Sequence, residues 1–334
     1  MVAFLFISLA FAAPSLFACP AEASPQAAPA GPAHEFNLPI PAAGGQSWTV
    51  ARTLLPGYTI RHTVPEVRVQ FTVADDHGRL LQSLSSSDFR VLDNRDAVPK
   101  IRSFSRLNDL PLQIGILLDV SDSVQKTSAR EKTAVEYFVQ HVLRPQTDRA
   151  ALLAFSSEVG VWQRSTGDRD ALQISLTHVH QPGNASFLYD GVYGACTEQF
   201  SPAGDGDTAQ RILVLITDGD DTGSLHSLGD AISAAQHRDI QIFALSVHSR
   251  RAIDDGDEIL RRMADETGGQ SYIANSEKDF PAVFAAMEQQ MRTQYSVSFQ
   301  PVEQTPGFHA VKIETAGGRT LHVRSRPGYF YDAP

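Results

Sequence analysis

Residues 114–123 read Ile-Gly-Ile-Leu-Leu-Asp-Val-Ser-Asp-Ser. An apolar run of strand length leads straight into the oxygen-bearing side chains of Asp119, Ser121, Asp122 and Ser123. A strand that is apolar without alternation is buried on both faces, and such strands belong to parallel sheets covered by helices. Ala151 to Phe155, Ile212 to Ile216 and Ile242 to Val247 are runs of the same kind. Between the first two lies an amphipathic segment with Val135, Phe138, Val139, Val142 and Leu143 on one helical face, closed by Arg144-Pro145. Leu228 to Ala235, Glu258 to Ala264 and Phe280 to Met291 also read as helices. This alternation predicts a doubly wound α/β fold with a mostly parallel sheet over residues 110–294.

In such a sheet ligands bind beyond the carboxyl ends of the strands, near the point where strand order reverses. The run from Ile212 to Ile216 is followed by Thr217-Asp218-Gly219-Asp220, so a second strand also ends in oxygen-bearing side chains. Asp, Ser and Thr oxygens are hard ligands that suit Mg²⁺, Mn²⁺ or Ca²⁺ and hold zinc or copper poorly. Asp119 and Ser121 could instead cap the helix expected from about Val124, but capping accounts for only one of the loops. Asp220 and Asp221 read as turn residues.

Outside this centre the period changes. Val67, Val69, Phe71 and Val73 alternate with polar residues, as half-buried strands do. Asp76-His77-Gly78 and Asp93-Asn94 supply turns. Tyr295, Val297 and Phe299 alternate likewise, as do Val311 with Ile313 and Leu321 with Val323, and Ala316-Gly317-Gly318 predicts a hairpin. The two β segments, 61–109 and 295–334, either meet in a small β domain or extend the central sheet, and both arrangements satisfy the pattern.

The first residues differ again. Met1 to Ala18 carry no charge and read as the apolar core of a secretory signal peptide, without the usual preceding basic residues. Leu16-Phe17-Ala18-Cys19 is similar to a bacterial lipobox, so Cys19 is a candidate for lipidation and membrane attachment. Residues 1–19 are therefore expected to direct export. Residues 20–47 are rich in Ala, Pro and Gly, and a tether is expected through residue 60. Cys19 and Cys196 are the only cysteines, too few for a disulfide framework or a Cys-rich zinc site. The net charge of −10 argues against a nucleic-acid binder.

Asp119-Val120-Ser121-Asp122-Ser123 matches the D-x-S-x-S signature of the metal-ion-dependent adhesion site (MIDAS) of von Willebrand factor A (VWA) domains. The following helix, Ser186-Phe187-Leu188-Tyr189-Asp190-Gly191 and the later Thr217-Asp218-Gly219-Asp220 fall in the family's order. Ser186 stands where the family usually has threonine; it keeps the hydroxyl and loses a methyl. With Ser87-Asp88-Phe89-Arg90-Val91-Leu92-Asp93 and the closing Pro327-Gly328-Tyr329-Phe330, residues 60–332 resemble the exported VWFA-related proteins described from acidobacteria. The resemblance implies that Ser121, Ser123 and Ser186 bind a divalent cation, Mg²⁺ first, through their hydroxyls. It implies that Asp119 and Asp218 act directly or through bound water. A Glu or Asp carboxylate from a protein partner would complete the shell.

No G-x-S-x-G elbow, G-x-x-x-x-G-K-[ST] loop or G-x-G-x-x-G after a strand is present. His178-Val179-His180 lacks a spaced metal-binding partner and reads as an exposed strand or loop. Asn184-Ala185-Ser186 is formally a glycosylation acceptor, and Asp205-Gly206-Asp207 is too short for a calcium loop. The expectation is an exported or envelope-bound binding protein and not an enzyme. A metal-independent envelope scaffold and a metal-assisted hydrolase are the alternatives.

Overall fold

The computed structural model describes residues 48–55, 58–64, 66–121, 128–179, 185–200, 209–247, 253–317 and 320–331. The apolar runs form the strands of one six-stranded sheet: β7 (Leu112–Asp119), β8 (Arg149–Phe155), β9 (Val159–Thr166), β10 (Gln210–Ile216), β11 (Ile240–Ser246) and β12 (Ser271–Ile273). Their order is β12-β11-β10-β7-β8-β9. Every pairing is parallel except β8 with β9. Register is tight where it matters, with Ile114 beside Ile212 and Leu118 beside Ile216.

Period two divides the strand residues between two apolar layers. Ile114, Ile116 and Leu118 pack on one face with Val135, Phe138 and Val139 of α1 (Ser128–His141). Leu172 and Leu176 of α2 (Arg169–His178) and Phe280, Phe284 and Met287 of α6 (Phe280–Arg292) complete that layer. Leu117, Leu153, Leu213 and Leu215 face the other way. They meet Leu188 and Val192 of α3 (Leu188–Glu198), Ile232 and Ala235 of α4 (Leu228–His237), and Leu260 and Met263 of α5 (Asp255–Thr267). The doubly wound α/β fold is therefore present. The chain leaves β7 toward β8 on one side and returns to β10 on the other, so the switch point lies between β7 and β10.

The flanking segments join each other. The strands β3 (Val67–Ala74), β6 (Ile101–Arg106), β13 (Tyr295–Phe299) and β15 (His322–Ser325) form one antiparallel sheet, in the order β15-β3-β13-β6. A second contains β4 (Phe89–Asp93), β5 (Asp96–Ala97), β14 (Gly307–Thr315) and β16 (Gly328–Tyr331), in the order β16-β14-β4-β5. Their inner faces share one core, centred on Phe71, Phe89 and Tyr295. Phe71 meets Phe89 edge-on at 5.0 Å and stacks on Tyr295 at 5.5 Å. The strands on either side of Ala316-Gly317-Gly318 do not pair as a hairpin would: β14 and β15 lie in different sheets, and Gly318 lies outside the described residues. Gly317 supplies a left-handed turn there (φ +88°), but the inward residues Val311 and Ile313 are committed to the sheet of β4.

The sandwich docks at the amino edge of the central sheet. Arg326 donates to Asp239 at 2.7 Å and to the Arg68 carbonyl at 2.7 Å, just before β11 begins. Gln294 donates to Gln241 at 2.8 Å. The carboxyl edge is left to the loops. Two further strands, β1 (Trp48–Leu55) and β2 (Tyr58–Val64), pair antiparallel and run from the stretch expected to be tether, up to residue 60, into the expected N-terminal β segment. Among the described residues no helix is long and apolar enough to cross a membrane. Cys19 lies outside them. Cys196 is a free, buried thiol on α3, pushed up to about 12 by burial.

Candidate metal centre

Asp119 is the last residue of β7, and only 1% of its surface is exposed. A buried carboxylate needs donors or a cation. Its Oδ1 accepts from the Ser121 amide at 2.9 Å. Its Oδ2 accepts from the Thr217 hydroxyl at 2.7 Å and the Ser186 hydroxyl at 3.2 Å. Three loops thus converge on one side chain: the end of β7, the approach to α3 and the end of β10.

Each loop is fixed locally. The Val120 amide donates to the Phe155 carbonyl at 2.9 Å, which carries β7 one residue past its strand. The Phe187 amide donates to the Ser156 carbonyl at 2.8 Å, which brings Ser186 to the edge of the sheet. After β10 the Gly219 amide donates to the Thr217 hydroxyl at 3.1 Å. Gly219 has φ +88°, and a Cβ there would lie 2.4 Å from the Gly256 carbonyl oxygen. A Cβ on Gly256 would lie 2.2 Å from the Asp218 carbonyl. Two glycines therefore let this loop press against the first turn of α5.

Burial raises the Asp119 pKa, opposed by the Ser121, Thr217 and Ser186 donors. Burial also pushes Asp218 up to about 6; the Asp220 amide opposes the shift and the Asp119 charge adds to it. Among the described residues neither carboxylate has an Arg, Lys or His at ion-pair distance. A buried and a half-buried acid next to hydroxyls, with no cationic side chain beside them among the described residues, form a donor set that fits a hard divalent ion. Among the described residues no group of three or more His, Cys, Asp or Glu could hold a metal.

Of the expected ligands, Asp119, Ser121 and Ser186 are joined by hydrogen bonds, and Asp218 follows Thr217. Ser123 lies outside the described residues. Thr217 was missed as a site residue, although it makes the shortest of these bonds to Asp119. Its signal was a hydroxyl one residue beyond a buried strand. Asp221 is more than a turn residue, because its carboxylate accepts from the Tyr189 amide of α3 at 3.3 Å. His178 ends α2 and is exposed, where a strand or loop was expected. His180, Asn184 and Asp205 to Asp207 lie outside the described residues.

The sequence model of the von Willebrand factor type A domain matches residues 113–286. Among solved structures the chain is similar to proximal thread matrix protein 1 from the mussel byssus, at 16% identity and a TM-score of 0.47, covering 55% of this chain and 49% of that one. The chain thus spans about half the length of the mussel protein. Another structure of that protein is described with a zinc-occupied MIDAS motif, at 16% identity and a TM-score of 0.46, covering 57% and 50%. BatB from Bacteroides thetaiotaomicron is similar at 17% identity and a TM-score of 0.44, covering 55% of this chain and 100% of that one. VWA domains often bind a divalent cation at a MIDAS site, and they mediate protein–protein interaction. The family match spans more than half of the chain, which belongs to the von Willebrand factor type A domain family.

Proposed function

We propose that this is an exported binding module in which Asp119, Ser121, Ser123, Ser186 and Asp218 hold a divalent cation, Mg²⁺ first. The observation that carries the reading is Asp119: a buried carboxylate under two hydroxyls and an amide, with Asp218 nearby and no cationic side chain among the described residues. The ion would supply a Lewis-acid position for a Glu or Asp carboxylate of a partner protein. The hydroxyls of Ser121 and Ser186 would orient toward it without cancelling its charge. The Thr217 hydroxyl would hold Asp119 in place from the far side of the switch point. Binding breaks no covalent bond, so the domain acts by capture and not by catalysis. The apolar, uncharged segment from Met1 to Ala18 supports export, and Cys19 offers a lipid anchor.

The test is the melting temperature of the protein in EDTA, then with Mg²⁺, Mn²⁺, Ca²⁺ or Zn²⁺ added, for wild type and Asp119→Ala. An ion bound only by the native state stabilises it by about 2.7 kcal/mol at a hundredfold excess over its dissociation constant. The expected result is a metal-dependent rise in wild type that Asp119→Ala abolishes. Identical melting of wild type with and without every ion would sink the reading. Turnover of p-nitrophenyl phosphate that is lost in Asp218→Ala would replace capture with hydrolysis.

A further inference from the structure

Helix α3 opens without a cap of its own. Phe187 occupies its N-cap position and makes no side-chain cap bond. The first amides of a helix nevertheless need acceptors. They find them in the loop that follows β10. The Tyr189 amide donates to Ser224 Oγ at 3.1 Å and to Asp221 Oδ1 at 3.3 Å. The Asp190 amide donates to Ser224 Oγ at 3.2 Å. The Ser224 hydroxyl donates to Asp221 Oδ1 at 2.5 Å, which leaves the lone pairs of its oxygen to accept.

The same loop grips Ser186 directly. The Ser186 amide donates to Thr222 Oγ1 at 2.9 Å, and the Ser186 carbonyl accepts from the Thr222 amide at 2.8 Å and its hydroxyl at 3.2 Å. The helix answers from its side. Asp190 accepts from the Leu225 amide at 2.9 Å, the His226 amide at 2.8 Å and the His226 ring at 2.7 Å. The His226 ring stacks on Tyr193 with centroids 3.8 Å apart.

These bonds tie the approach to α3, which carries Ser186, to the loop that carries Asp218. We propose that residues 221–226 form a latch whose role is to position Ser186 for the metal ion, with Thr222 and Ser224 as the positioning residues; the inference rests on the metal reading above. An ordinary helix cap would need only Ser224 and Asp221. Thr222 does not touch the helix amides at all. It holds both ends of the Ser186 residue, and Ser186 points its hydroxyl at Asp119.

The experiment uses the whole protein and Mn²⁺ as probe, with free ion read by electron paramagnetic resonance. Amide hydrogen exchange at Tyr189 and Asp190 is measured in parallel in EDTA. Thr222→Val keeps the shape and the backbone bond and loses the hydroxyl. It should weaken Mn²⁺ binding about 10- to 100-fold, the usual loss when a group that orients a metal ligand is removed. Its melting temperature in EDTA should fall by only a few degrees, the effect of the lost acceptor for the Ser186 amide, and Thr222→Ser should restore both the affinity and the melting temperature. Ser224→Ala should weaken binding and speed exchange at both helix amides. Wild-type affinity in Thr222→Val and Ser224→Ala would overturn the latch, even if exchange quickens. A wild type that binds no Mn²⁺ overturns the metal reading itself, and the latch's role with it.

Discussion

Asp119 and Asp148 are buried aspartates at opposite edges of the same sheet, and the chain treats them in opposite ways. Asp148 precedes β8 at the amino edge, with 1% of its surface exposed. Arg292 donates to it at 2.5 Å, and the amides of Leu112 and Arg144 donate at 3.0 and 2.9 Å. Burial alone would raise its pKa; Arg292 and the two amides outweigh burial and lower it. Asp119 at the carboxyl edge is buried to the same degree, has hydroxyl and amide donors only, and keeps a raised pKa. The difference is the cation. The amino edge, where the sandwich docks, carries its counter-charge as part of the chain. At the carboxyl edge no Arg, Lys or His among the described residues balances Asp119, and the proposed metal ion would supply that charge.

The largest expected effect comes from removing the built-in cation. Arg292→Met strands a buried carboxylate and should cost about 3–5 kcal/mol in urea unfolding, as broken buried ion pairs do. Arg292 also donates to the Val142 carbonyl at 3.1 Å, so that loss adds to the cost. A loss below about 1 kcal/mol, the range of exposed pairs, would mean that the two edges are not electrostatically different after all.

The same contrast has a pH signature. Asp148 has a lowered folded pKa, so its contribution is complete above the unfolded value of about 3.9 and is lost as pH falls through the folded value. Unfolding free energy should therefore fall on acidification from pH 5 to pH 3. Arg292→Met should flatten that slope, because its Asp148 no longer prefers the charged form. Equal slopes in both proteins would assign the acid sensitivity to other carboxylates.

The sequence showed one edge of the sheet and hid the other. Asp119 and Ser121 stand two residues apart at the end of an apolar run, so their common position is readable without any knowledge of packing. Asp148 and Arg292 are 144 residues apart, and neither lies in a local pattern. Thr217 stands at a strand end without a role, and Thr222 is not singled out, for a related reason. A hydroxyl beyond a strand is ordinary until Asp119 and Ser186, from other loops, are placed against it. Period two in Val67 to Val73 and Tyr295 to Phe299 gave each strand an inner face. It did not say that β3 and β13 pair, with Val69 beside Val297. It also left open whether the flanks extend the sheet or form a sandwich. The Gly-rich turn after β14 is a local signal that long-range pairing overrode, since both neighbouring strands already had partners in separate sheets.

The smallest expected effect is the sharpest form of the comparison. Asp119→Asn, measured in EDTA, removes a buried charge that no side-chain cation balances among the described residues. The amide oxygen can still accept, and the hydroxyls of Thr217 and Ser186 can rotate to meet the new donor. Loss of the desolvation penalty then offsets the weaker hydrogen bonds, since exchanging a buried charge for a neutral polar group relieves the cost of keeping it from water. Stability in EDTA should stay within about 1 kcal/mol of wild type, the scale of one net hydrogen bond. Adding Mg²⁺ should then stabilise wild type and leave the variant where it was. A variant as damaged in EDTA as Arg292→Met would mean that Asp119 is already compensated within the chain, and the carboxyl edge would lose its claim to a metal.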